Sequence, residues 1–281
     1  MENHPKPLFL RSLSDAQCPP DRYRALSVAG RAAASFLQGQ LTQDVARVEP
    51  GQLHLAALLT PQGRVLATLW LTARDQSLLL LLPASLATGV RDALQRYVLR
   101  AKVTLALAEL DSGLAALLAD TVAARRAGSS APLPAAPTAA PASMPTDASA
   151  MWPLALVQAG QPEIGLATSG EWIPQMLNLD LLDAISTTKG CYTGQEIVAR
   201  TQNLGRIKRR MFRYAAAVAT PPEAKSALYV GEHKAGEVVL AAPAASGCEM
   251  LAVVNLDTRD APLALADGAA CRPLPLPYVI P

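Results

Sequence analysis

The chain has 281 residues, 51% hydrophobic and 17% charged, enough for two or three small cores and too apolar to be disordered as a whole. Its 25 basic and 23 acidic residues leave a net charge of +2, which excludes coating of nucleic acid by bulk charge. Four cysteines without a CxxC and three unclustered histidines argue against a disulfide scaffold, a zinc ribbon and a His-built metal site.

The most apolar stretch, 77–90, is too short to span a bilayer and is interrupted by Pro83. The first residues lack a signal-peptide pattern, so a cytoplasmic, reducing location with unpaired thiols is expected.

Residues 1–22, rich in proline, read as a loose lead-in. Tyr23–Val28 reads as a strand, and 30–45 as a helix with Ala33, Phe36, Leu37, Gln40 and Leu41 at helical spacing. Pro50-Gly51 is a turn. Two apolar runs flanking Pro61-Gln62-Gly63 predict a β-hairpin. The unalternating run from Ser77 predicts a strand buried on both faces. Ser85 is a candidate cap for a helix carrying Leu86, Val90, Ala93, Leu94 and Tyr97, and 102–110 closes the set as a strand. The order β-α-β-β-β-α-β predicts an α+β lobe over 23–123 with helices on one face of a mostly antiparallel sheet.

Residues 124–150, rich in Pro and Ala, predict a linker or surface loop. A second lobe is expected over 151–205, with 153–160 as a strand and 171–179 as a helix or an extended approach. Beyond it, short β pieces broken by Gly and Pro predict a small barrel over 206–281.

The densest chemistry lies in Ile185–Arg200. Thr193-Gly194-Gln195-Glu196 fits a capping box, so a helix should begin near Thr193 with Cys191 just ahead of its positive end and Lys189 close by. Those features favour a thiolate, as in a nucleophile, a redox site or a soft ligand. On the residues alone, a small buried cysteine beside a well-capped helix is the plainer reading, because no histidine stands near to act as base.

The octapeptide KGCYTGQE (189–196), extended by ARTQNLGRIKRR, resembles the signature of the YgfZ family of folate-binding proteins, relatives of the glycine-cleavage T-protein. GRAAASFLQGQLTQDV (30–45), LLTPQGRVLATLWL (58–71), WIPQMLNLDLLDAIS and the closing PLPYVIP support it. The resemblance spans 23–281 apart from 124–150. It implies a T-protein-like, multi-lobed ring of ferredoxin-like α/β sandwiches with a C-terminal β-barrel lobe. It implies a site for tetrahydrofolate or a one-carbon derivative. It also implies a role with iron–sulfur client or assembly proteins, including those that modify tRNA, without nucleic acid as a direct partner. The motif lands on Lys189, Gly190, Cys191, Tyr192, Gly194, Gln195 and Glu196, with Arg200 and Gly205 beyond; Cys191 and Lys189 are its candidate catalytic pair.

Further candidates come from side-chain chemistry. Gln38, Gln40, Thr42 and Asp44 can face a pterin edge, or form a turn after the helix. Glu163 and Glu196 are carboxylates suited to paired pterin N–H donors, and Trp172 and Tyr192 can stack on rings or serve the core. Arg206, Lys208, Arg209, Arg210 and Arg213 suit a glutamate tail or an acidic partner, or make a solvated strand face. Cys18, Cys248 and Cys271 join Cys191 as a cluster only if the fold gathers them. No metal site is expected. T-proteins carry an acidic pair after the hairpin turn; here Ala67 and Thr68 stand there, and neither accepts a proton at neutral pH. The expected function is therefore a folate-binding accessory protein. Its rivals are a one-carbon transferase and a folate-independent scaffold for client proteins.

Overall fold

A computed structural model describes residues 17–99, 101–128, 151–203 and 205–281. Most of the lead-in and most of the Pro/Ala-rich segment expected over 124–150 lie outside the described residues.

The first sheet is built from β1 (Tyr23–Ala29), β2 (His54–Leu59), β3 (Val65–Arg74), β4 (Ser77–Pro83) and β5 (Thr104–Glu109). Their order is β2-β3-β4-β1-β5 and every pairing is antiparallel. The unalternating leucines of β4 occupy the middle of the sheet, where both faces are covered, as their pattern predicts. Edge strand β5 alternates and stays largely exposed.

Helix α1 spans only Ala33–Gln38, not the whole of 30–45. The chain turns at Gly39 because its polar groups find better partners outside a helix. The Gln38 side-chain Oε1 accepts from Val45 N at 2.8 Å, and Thr42 N donates to Ala57 O of β2 at 3.1 Å. Helix α2 (Ala84–Gln95) buries Leu86, Val90 and Leu94 as predicted, but Pro83 rather than Ser85 holds the cap position and Tyr97 is exposed. Helix α3 (Ser112–Ala127) lies where no helix was expected and runs past the 123/124 boundary. Its signal was local: the Asp111 carboxylate caps it by accepting from Leu114 N at 2.9 Å.

The stretch expected as a strand over 153–160 is helix α4, Trp152–Gln158. A short apolar run without alternation fits either element, and Pro153 in the first turn was the sign of a helix. Every residue of α4 but Pro153 is buried, since it sits between the two halves of the protein. Residues 174–177 form one turn of 3-10 helix, and α5 spans Gln195–Asn203.

The C-terminal strands are β6 (Arg209–Ala216), β7 (Ala227–Val230), β8 (His233–Ala244), β9 (Gly247–Asn255), β10 (Ala264–Leu265) and β11 (Cys271–Leu274). They form an antiparallel half-barrel in the order β10-β7-β8-β9-β6-β11. Its two ends meet at an Ala264–Ala270 bridge and a 2.8 Å bond from Cys271 N to Leu263 O. One face, including Val239, Leu251 and Val253, joins the core of the first sheet through α4; the other, around Tyr214, Val238 and Met250, closes a second core. No helix among the described residues is long and apolar enough to cross a membrane.

Candidate functional site

The two stretches that stand out in the sequence are adjacent in space. Ser186 N donates to Thr42 O at 2.9 Å, Thr193 N to Gly39 O at 3.2 Å, and Gln43 Nε2 to Asp183 O at 2.5 Å. Lys189 Nζ donates to Leu41 O and Gln43 O at 2.8 and 2.7 Å, so the 183–193 loop is stitched onto the turn that follows α1.

A second junction fixes the start of α5. Gly194 has φ +81°, and a Cβ there would stand 2.6 Å from Thr60 O and 3.1 Å from Gly63 Cα. The β2–β3 hairpin turn therefore lies backbone to backbone against the motif, a contact only glycine permits. Gly190 meets nothing within 4 Å, so close approach explains one motif glycine and not the other.

Cys191 is exposed. The helix begins at Gln195, so the cysteine stands a full turn ahead of it rather than against its first turn. Lys189 is buried, and its ammonium is committed to the two carbonyls and lies 5.2 Å from the centroid of the Tyr192 ring. Burial lowers its pKa to about 8, with Asp44 acting in the opposite direction. Burial also pushes the Tyr192 phenol up to about 12, so it stays a neutral donor.

A cavity of about 190 Å³ opens beside the loop, lined by Tyr192 and Gln195 of the motif, by Val198 and Gln202 on the same stripe of α5, and by Asp180 and Ile185. Both Asp180 oxygens are taken by Arg210, at 2.6 and 2.8 Å. The groups left to meet a ligand are thus neutral amides and hydroxyls over an apolar floor. Spacing along α5 made Gln195, Val198 and Gln202 readable as one face; the 180–187 side has no such signature.

Other candidates divide by what already holds them. Gln38 and Asp44 bond each other at 2.8 Å; that amide, together with Ala46 N, holds the Asp44 carboxyl below its ordinary range. Thr42 Oγ1 donates to Ala184 O and accepts from Ala57 N. Gln40 differs: its Oε1 is enclosed without a hydrogen-bond partner. Glu196 pairs with Arg200 at 2.9 Å on the exposed side of α5, so its carboxylate serves an i,i+4 pair.

Glu163 does not face open space. Arg22 and Tyr23 hold its two oxygens, and the neighbouring void of about 10 Å³ has room for a water and not for a ring. Trp172 is buried at the wall of a separate cavity of about 300 Å³ lined also by Arg209, Lys234 and Asn255. The basic run is not one surface, since Arg210 and Arg213 are buried in ion pairs with Asp180 and Glu249. Ala67 and Thr68 are buried, and Thr68 Oγ1 bonds Pro162 O and Ile164 N.

The fold does not gather the cysteines. Cys18 lies in the first core and Cys248 and Cys271 in the second, with burial raising their thiols to about 12, 11 and 11. Among the described residues no group of three or more His, Cys, Asp or Glu is placed to hold a metal ion. In native protein an aromatic disulfide reagent should therefore titrate one fast thiol, Cys191, and the other three only after denaturation; two or more fast thiols would contradict the burial.

No protein-family model matches the chain. Among solved structures it is similar to aminomethyltransferase T of the glycine cleavage system from Bartonella henselae, with a TM-score of 0.67 at 16% identity over 96% of this chain and 89% of that one. That likeness establishes the fold. An uncharacterised protein of Haemophilus influenzae is 35% identical over 68% of this chain and 70% of its own length. The tRNA-modifying protein YgfZ of Colwellia psychrerythraea is 28% identical over 86% of this chain, and its Klebsiella pneumoniae counterpart 30% identical over 97% of this chain and 93% of its own. Identity of that order, sustained across nearly the whole of both chains, carries what a short motif alone does not: this chain belongs to the YgfZ family.

Proposed function

We propose that this protein binds tetrahydrofolate or a one-carbon derivative and serves iron–sulfur enzymes as an accessory factor, including enzymes that modify tRNA. The observation that carries the reading is the convergence of two stretches about 150 positions apart, both shared in outline with a folate-binding family. Lys189 of the second binds the backbone of the first, and the second lines a cavity whose free groups are neutral donors and acceptors.

The donor set fits a pterin. Gln195 and Tyr192 supply an amide and a phenol without a charge, and the carboxylate on the cavity wall, Asp180, is neutralised by Arg210. Bound folate would supply a carrier for a one-carbon unit. Cys191, exposed at the end of the stitched loop, would face the client or the carried group. Tyr192 and Gln195 bind; Gly194 and Lys189 hold the loop that presents them.

Aminomethyl transfer is not part of the proposal. Ala67 offers no proton acceptor, and the Thr68 hydroxyl is spent on the backbone at residues 162 and 164. Purified protein supplied with aminomethylated lipoyl protein and tetrahydrofolate should release no ammonia above background.

Native mass spectrometry with a series of reduced folates tests the binding. One molecule per chain is expected, weakened at least tenfold by Gln195→Ala and little changed by Glu163→Gln. Binding insensitive to Gln195 and lost with Glu163 would move the site elsewhere. In cells lacking the parent protein, Cys191→Ser should fold normally yet fail to restore iron–sulfur enzyme activity.

A further inference from the structure

Lys189 is a buried cation whose hydrogen-bond partners are neutral. Its nitrogen touches two carbonyl oxygens, Leu41 and Gln43, and among the described residues it forms no ion pair. A methionine would fill the same space without an ammonium to desolvate, so packing does not explain the residue. The two carbonyls do. Both belong to the turn after α1, where the chain has left the helix, and both need a donor.

We propose that Lys189 is a positioning residue: its ammonium clasps the Leu41 and Gln43 carbonyls and thereby docks the 186–193 loop, fixing where Cys191 is presented two residues further on. Backbone bonds from Ser186 N to Thr42 O and from Thr193 N to Gly39 O bracket the clasp on either side, so its loss frees the intervening loop.

The clasp is also proton-linked. Asp44 is the titratable carboxylate that faces Lys189, and Tyr192, the aromatic neighbour, keeps its proton to about 12. Docked, Lys189 gives up its proton near pH 8; released into water it would do so near its ordinary 10.5. Between those values the undocked loop binds more protons, so docking strengthens as pH rises, by up to about tenfold per pH unit, because the neutral amine keeps two N–H donors for the two carbonyls without a charge to bury. At neutral pH the lysine is charged in both states and the loop is at its easiest to release.

This inference rests on reading the Cys191 loop as the working part of the site, and its test needs no folate. In protein labelled with carbon-13 at lysine ε-carbons, the resonance absent from Lys189→Arg should titrate near pH 8. A midpoint at the ordinary lysine value overturns the proton linkage. Amide exchange at pH 7 supplies the positional readout. In Lys189→Met the Ser186 and Thr193 amides should exchange at least tenfold faster while those of β1 and β4 keep their protection, and Lys189→Arg should restore most of the difference. Unchanged protection of Ser186 and Thr193 in Lys189→Met refutes the proposal. Failure to bind folate would sink the functional reading and leave the clasp standing.

Discussion

Replacing Gly194 by alanine is expected to lower the unfolding free energy by about 3–5 kcal/mol, one of the largest effects of any single methyl group in this chain. Two costs add. The residue holds φ +81°, a left-handed conformation that costs an ordinary residue about 1–2 kcal/mol. The new Cβ would also stand 2.6 Å from Thr60 O, a backbone atom that cannot swing aside. For a chain of this size the loss corresponds to a fall in Tm of roughly 10 °C, readable by calorimetry. Gly190→Ala is the control: nothing lies within 4 Å of its Cβ and a change within about 0.5 kcal/mol is expected. Equal effects at the two glycines would show that the hairpin does not bear on the motif.

Asp180→Ala should be comparably damaging for an electrostatic reason. Arg210 and Asp180 form a two-pronged pair with side chains 5% and 9% exposed, and Arg210 also donates to Gln175 O at 3.0 Å. Removing the carboxylate strands a buried guanidinium and costs about 3–5 kcal/mol. Asp180→Leu combined with Arg210→Met should recover much of that, because it removes both charges; chemical denaturation of the single and double variants measures the difference. A double variant no more stable than Asp180→Ala would place the cost in packing instead. The single variant should also weaken the proposed folate binding, since a positive charge then stands unbalanced beside a cavity wall built of neutral groups.

What the sequence exposed and what it hid follow from range. The hairpin, the leucine strand and the helix carrying Leu86, Val90 and Leu94 are set by neighbours a few positions apart, and their periodicity survives into the structure. Trp152–Gln158 has no period to read, because it is buried on every side between two sheets. The α1 stretch reads as a longer helix because Gln38, Thr42 and Gln43 are helix-compatible, but Thr42 and Gln43 bond partners on β2 and on the 183–184 segment, and Gln38 bonds Asp44 and Val45 N. The motif residues and the 38–44 stretch lie together, but they differ in what they do there. Tyr192 and Gln195 line the cavity, whereas Gln38, Thr42, Asp44 and Glu196 turn out to hold the scaffold. Proximity in sequence makes Lys189 a candidate partner for Cys191, whereas in the fold its nitrogen serves two carbonyls 148 and 146 positions earlier.

Those separations also set when the site comes into being. A ribosome adding about 5–20 residues per second needs roughly 7–30 s to travel from Leu41 to Lys189. Throughout that interval the turn after α1 carries carbonyls whose donors have not yet been made, while the five-stranded sheet can already form. Closing so wide a loop is entropically costly, so the stitching is expected to follow collapse of the first core rather than to nucleate it. A nascent chain halted before residue 186 would carry a folded sheet with the turn open to solvent. The early half of this protein is therefore where a chaperone or protease would find it, and the last contacts made are those that dock the loop carrying Cys191.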